Sequence, residues 1–188
     1  FAARASQGHI GRARHLAKSE EARTRRQAIL KISLLITDVA SAFKAAQVLV
    51  EAAKAEAEEE AEKRDDAELA SLKEAWGQQG SKLTQGGAKV VKDLEKEQKS
   101  RTTRMVRDYL DRALLDIATL YRDILLIQAN SLDSTINTDL ISEITKISNS
   151  TTPEATLAKL EAIMSARTNL SHNAAPLLTI EALMVSLK

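Results

Sequence analysis

A chain of 188 residues with 44% hydrophobic and 3% aromatic content, 6 Gly and 2 Pro lacks the turn residues that short-stranded sandwiches and barrels need every ~8–12 positions. An all-β fold is excluded and an all-α one expected, built largely from Ala, Leu, Lys and Glu. The formal net charge of +1 hides blocks of opposite sign, +6 over 1–31, −6 over 51–74, +4 over 82–112 and −3 over 113–188; such blocks suit complementary faces within the molecule or oriented docking on a partner rather than a uniformly basic nucleic-acid surface.

In chain order, Ser6-Gln7-Gly8 interrupts a short helical lead-in, and Ile10–Ala17 reads as a short helix. Ser19 is the N-cap of the next helix, with Glu20 and Glu21 in the first turn, where the helix dipole favours acids. That helix runs to about Lys31, and its basic face of Arg23, Arg25, Arg26 and Lys31 is a candidate phosphate-contacting patch. A long helix begins at Thr37-Asp38. Its apolar seam, Val39, Phe43, Ala46, Val50, Ala53 and Ala57, has coiled-coil-like spacing and resumes with Leu69, Leu72 and Trp76. Residues 77–87 hold four of the six glycines and read as a flexible linker.

A second long helix, about 88–129, carries Val91 and Leu94, then Met105, Leu110, Leu114, Ile117, Tyr121, Ile124 and Leu125, with no apolar residue between Glu95 and Arg104. A stretch polar all round either projects into solvent or pairs with another charged helix. The expectation is therefore an antiparallel helical hairpin arm over 39–129, protruding from a helical bundle. Glu58-Glu59-Glu60 should lie near Lys99, Arg101 and Arg104, with Trp76, Leu72, Val91 and Leu94 near the tip. Asn137 is expected to cap a helix from Thr138 to about Ser148. Thr152-Pro153 opens another, to about Leu170, carrying Leu157, Leu160, Ile163 and Met164. Pro176 opens the last, Leu177–Leu187, with Leu177, Ile180, Leu183, Met184 and Leu187 as its buried face.

Candidate chemistry is sparse. Without Cys, disulfides, thiolate metal sites and cysteine nucleophiles are excluded. His9 and His15 are six residues apart, which is not same-face helical spacing, and His172 is distant from both. The acids of 56–66 fit neither a calcium loop nor a paired-carboxylate site. Gly77-Gln78-Gln79-Gly80-Ser81-Lys82 lacks both the ending of a phosphate loop and the preceding strand. No catalytic residue, cofactor site or metal site is expected. The longest uncharged run, 168–180, falls well short of the ~20 apolar residues of a bilayer span. With Phe1 in first place and no leader pattern after it, the chain reads as a fragment of a longer cytoplasmic protein.

Particular strings go further. Ala5-Ser6-Gln7-Gly8-His9-Ile10-Gly11-Arg12-Ala13-Arg14-His15-Leu16 resembles the end of an AAA+ lid domain around its sensor-2 helix. Gln98–Arg104, Leu110–Asp116 and Leu120–Leu125 resemble the C-terminal region of the delta-prime family of bacterial DNA polymerase III clamp-loader subunits, and Asn173–Leu183 resembles that family's final collar helix. The resemblance implies the end of an AAA+ lid over 1–31 and a helical collar domain over 32–188. It further implies a non-catalytic oligomerisation role in a hetero-pentamer with gamma/tau and delta subunits, meeting the sliding clamp and primed DNA through the whole complex. Gly11 falls where ATP-hydrolysing relatives carry the sensor-2 arginine, as in a subunit with an inactive nucleotide site. Arg12 is turned from that direction by ~100°. Leu157, Ile163, Leu178 and Val185 are the candidate subunit-interface residues. The alternatives are the collar of the related gamma/tau subunit, against which Gly11 speaks, and a basic helical nucleic-acid-binding module using Arg23, Arg25, Arg26 and Lys31.

Overall fold

A computed structural model describes residues 2–75 and 87–188. Among them the chain is all-α, with no strand. The helices are α1 (Ala2–Ala5), α2 (Ile10–Lys18), α3 (Glu20–Leu34), α4 (Val39–Ala75), α5 (Gly87–Gln128), α6 (Ile141–Ser150), α7 (Pro153–Ser171) and α8 (Pro176–Ser186). Two 3-10 turns, Leu132–Ser134 and Thr138–Leu140, lie between α5 and α6. No described helix is long and apolar enough to cross a membrane.

Local chemistry sets most of these boundaries. Gln7 and Gly8 take φ values of 50° and 88°, a left-handed turn that ends α1 and that Gly adopts without a Cβ penalty. The Ser19 hydroxyl accepts the Ala22 N–H at the start of α3, and the Thr152 hydroxyl accepts the Ala155 N–H at the start of α7, where Pro153 needs no donor of its own. Before α4, the Asp38 carboxylate accepts the Ser41 N–H at 2.7 Å while the Ser41 hydroxyl accepts the Thr37 and Asp38 N–H groups. This reciprocal cap holds the Asp38 carboxyl below its ordinary range, chiefly through the Ser41 backbone N–H.

The chain divides into two compact units, one running up to Leu49 and resuming over Asp111–Lys188, the other spanning Val50–Leu110. The first has a core of Leu30, Leu114, Ile117, Leu120, Ile124, Ile144, Ile163, Leu170, Ile180 and Met184, all essentially fully buried. Fully burying such a side chain contributes roughly 1.5–3 kcal/mol, so this layer supplies the main drive for the unit. Residues 2–31 of the expected lid end lie in this unit together with the C-terminal helices.

The second unit is an antiparallel pairing of α4 with α5. The Gln98 amide donates to the Asp65 carbonyl at 3.0 Å, and Arg101 spans the Glu68 carboxylate. Arg64 approaches the Met105 sulfur, and Tyr109 donates to Glu60. From Arg101 through Met105 to Tyr109 the partners on α4 run Glu68, Arg64 and Glu60, falling as an antiparallel pair requires. The Arg101 hydrogen bond holds the Glu68 carboxyl below its ordinary range and raises the guanidinium in turn.

The expected register does not hold. Glu60 faces Tyr109 rather than Lys99, Arg101 and Arg104, and Arg101 instead meets Asp65 and Glu68, about two turns further along α4. Counting charges showed which helices attract, but the inner residues Gln98, Met105 and the alanines Ala53, Ala57 and Ala61 fix the alignment. The seam also differs at its start. Val39 and Phe43 are exposed, and Ala42, Ala45 and Leu49 are buried in their place. Leu72, Val91 and Leu94 are half-buried; Trp76 and 77–86 of the expected linker lie outside the described residues, while Gly87 opens α5.

Candidate functional site

The first unit contains a buried ionic cluster built from four segments. Asp116, Thr119 and Asp123 recur at three- and four-residue spacing on α5, so they share one face of that helix. All three are buried, and Asp123 is completely so. Arg26 of α3 enters from the side, 2% exposed, with Nε donating to Asp116 at 2.8 Å and its terminal nitrogen to Thr119 at 3.1 Å and Asn137 at 2.6 Å. Arg12 of α2 donates to the same Asp116 carboxylate oxygen. Asp123 accepts the backbone N–H groups of Ile136 and Asn137 at 2.9 and 2.7 Å, and the Asn137 amide at 2.8 Å.

Asp116 is thus paired below the surface with both Arg26 and Arg12, and the completely buried Asp123 takes its counter-charge from the exposed Arg122 at 3.3 Å. Burial of unpaired ions would be prohibitive, whereas a paired and extensively hydrogen-bonded set is tolerated and specifies one arrangement of its segments. The cluster ties α2, α3, α5 and the turn at Asn137 together. Its geometry is that of a structural clasp: its polar atoms are directed at one another rather than toward an open surface.

This cluster overturns two expectations. Arg26 does not belong to a phosphate-contacting face, because Asp116 draws it into the interior. Asn137 does not cap a helix with its side chain; it opens the Thr138–Leu140 turn without a side-chain cap bond, since its amide is engaged by Arg26, Thr119 and Asp123. α6 accordingly begins at Ile141 rather than Thr138.

The other patch residues are also occupied. Arg23 donates to the carbonyls of Leu16 and Ala17 at 2.9 and 3.2 Å, satisfying the orphan acceptors at the end of α2. Arg25 pairs with Glu21 one turn earlier on α3. Lys31 is exposed. The Glu143 carboxyl, held below its ordinary range first by its own backbone N–H near the start of α6, also feels the Lys31 charge. Arg23, Arg25, Arg26 and Lys31 therefore do not form one free cationic face.

Gly11 is exposed in the first turn of α2, where an added Cβ would meet the His9 ring at 3.3 Å. His9 is the N-cap of that helix, its Nδ1 accepting the Arg12 N–H at 3.2 Å. Among the described residues no group of three His, Cys, Asp or Glu side chains is placed to hold a metal ion.

The remaining distinctive surface lies on α7 and α8, which pack against each other. Leu157 and Met164 of α7 are 47% and 46% exposed, and Leu178 and Val185 of α8 are 67% and 36% exposed. Each pair is seven residues apart, so its members stand within about 20° of one another on their helix. Ile163, expected at this surface, is instead completely buried. It shares an inward face with Ala166 and Leu170, whose i, i+3, i+7 spacing makes one stripe. Leu177, expected inside, is 39% exposed. Met164 joins the exposed set and was missed because it continues an apolar run; the seven-residue echo of Leu157–Met164 in Leu178–Val185 is the signal that marks it.

No protein-family model matches the chain, no curated protein matches it, and no solved structure matches its fold.

Proposed function

We propose that the chain is a helical assembly module that acts by burying an apolar face of its last two helices against neighbouring subunits, without chemistry of its own. The observation that carries this reading is the repeated exposed pair, Leu157 with Met164 and Leu178 with Val185. Four large apolar side chains held in water on two helices that pack against each other are what a subunit contact would desolvate.

Within that class, the particular reading is the collar of the delta-prime subunit of the bacterial DNA polymerase III clamp loader, cytoplasmic, with the end of an AAA+ lid over 1–31. Its partners are the gamma/tau and delta subunits, and through the assembled ring the sliding clamp and primed DNA. The strings over 5–16, 98–125 and 173–184 support it. So does the neighbourhood of Gly11, because the adjacent Arg12 is committed to Asp116 and is not held for a nucleotide phosphate. The test is co-purification of the chain with gamma/tau and delta subunits. Stoichiometric recovery in one complex is expected; recovery of the chain alone from a mixture in which the other subunits assemble rejects the reading.

A further inference from the structure

The charges beside the exposed apolar pairs of α7 and α8 are all of one sign. Glu154 and Glu161 stand three residues before and four residues after Leu157, so they lie ~60° and ~40° from it round α7. Glu181 stands three residues after Leu178, ~60° from it round α8. Glu154 and Glu161 are exposed and Glu181 is half-buried, and none of them forms an ion pair among the described residues. Every other exposed residue of the two helices is uncharged.

The cations of these helices are committed elsewhere. Lys159 of α7 is half-buried and donates to the Leu187 carbonyl at 2.9 Å, closing the end of α8, and burial holds its ammonium below the ordinary range. Arg167 meets Asp111 of α5 through two bonds, at 2.7 and 3.1 Å. Lys188 lies beyond the end of α8, where its charge acts on Asp38 ahead of α4. Protein surfaces ordinarily intersperse both signs of charge; here the apolar side chains stand among acids alone.

That imbalance decides between occupants. In an isologous contact the same patch meets itself, so a second copy would set carboxylate against carboxylate with no cation in the patch to answer them, an arrangement that interfaces strongly disfavour. A polyanion is repelled for the same reason. A flexible basic tail would satisfy the acids and leave Leu157, Met164, Leu178 and Val185 in water. We propose that the α7–α8 face is built for an unlike chain, a protein surface whose apolar centre is flanked by Lys or Arg side chains placed to meet Glu154, Glu161 and Glu181. The apolar groups supply the burial, and the acids supply orientation, speed of encounter and rejection of a second copy. The proposal rests on the reading of this face as a subunit contact and adds the charge of the partner.

The test builds such a partner from the chain itself. One variant carries Glu154→Lys, Glu161→Lys and Glu181→Lys, which leaves the apolar side chains in place and reverses the charges beside them. Light scattering on a size-exclusion column follows this variant alone, the wild-type chain alone and their equimolar mixture. At low salt each chain alone should stay monomeric, while the mixture forms a one-to-one pair at least ~10-fold tighter than either self-association. The pair should weaken at ~1 M salt, where the Debye length shrinks to ~3 Å. Adding Leu178→Glu to the otherwise wild-type chain should abolish pairing, which places the contact on the apolar face, with all chains equally helical by circular dichroism. A wild-type chain that self-associates as tightly as the mixture, a mixture that stays monomeric, or a pair indifferent to salt would overturn the proposal. The mixture contains no gamma/tau or delta subunit. Co-purification failing while the mixed pair forms would therefore reject those partners and leave the charge requirement standing, whereas the reverse result would overturn the charge requirement and leave the assembly reading intact.

Discussion

Arg26 is where the internal and surface readings of the basic residues differ most sharply in consequence. Replacing it by Met keeps the stem that lies in the interior and removes the guanidinium from Asp116, Thr119 and Asn137. Breaking a buried ion pair from one side typically costs ~3–5 kcal/mol. Asp116 retains Arg12 as a counter-charge, so the lower end, about 3 kcal/mol, is expected. For a chain of this size each kcal/mol moves Tm by ~2–4 °C, giving a loss of roughly 6–12 °C. Urea unfolding followed by circular dichroism gives the free energy directly. The double variant R26M/D116N should not recover the loss, because it takes the counter-charge from Arg12 as well. An R26M chain within ~0.5 kcal/mol of wild type, the range of ordinary surface substitutions, would refute the buried clasp and return Arg26 to the surface.

Three further predictions follow from burial and capping. Ile163→Ala should cost ~2–5 kcal/mol by core truncation, while Leu178→Ala should stay within ~0.5 kcal/mol; urea midpoints of the two variants test the division between core and contact face. Thr152→Ala removes the side-chain cap of α7 and should cost about 1 kcal/mol, with Thr152→Ser restoring most of it. Burial pushes Tyr121 up to about 12, so between the unfolded pKa near ~10 and that value the unfolded chain releases a proton that the folded chain keeps. Stability should therefore fall as pH rises through that window, by roughly 2–3 kcal/mol in full. Urea midpoints at successive alkaline pH values should show the fall, and Tyr121→Phe should reduce it.

The helical architecture was readable from composition and caps. Ser19, Thr152-Pro153 and Asp38 each place a donor-hungry helix start beside a side-chain acceptor, and the observed helices begin there. The core face of α8 was readable from spacing, with Ile180, Leu183, Met184 and Leu187 buried as their periodicity requires. What spacing could not show was which polar residues go inside. Arg26 and Arg25 are adjacent and chemically identical; only the presence of Asp116, ninety residues away, buries one while the other stays exposed. Asp116, Thr119 and Asp123 did carry a signal, a polar row at helical spacing inside the apolar run from Leu110 to Leu125.

The arm illustrates a second limit. Charge blocks predicted that α4 and α5 attract, and Arg101 does meet α4 acids. Exposed ion pairs are worth only ~0–1 kcal/mol, too little to choose between registers that differ by two turns. Packing of Gln98 and Met105 against α4 makes that choice. The candidate contact face behaves similarly. Leu178 and Val185 stand in the open, off the buried face read for α8, and Leu157 is exposed with them, while Ile163 was drawn inward with Ala166 and Leu170.

The most direct test of the assembly reading is light scattering on a size-exclusion column, with wild-type and Leu178→Glu chains each mixed with gamma/tau and delta subunits. The account predicts that the wild-type chain enters a heteromeric complex and that the Leu178→Glu chain, equally helical and equally stable, elutes apart from it. A wild-type chain that never shifts, or a Leu178→Glu chain that assembles as well as wild type, would contradict it.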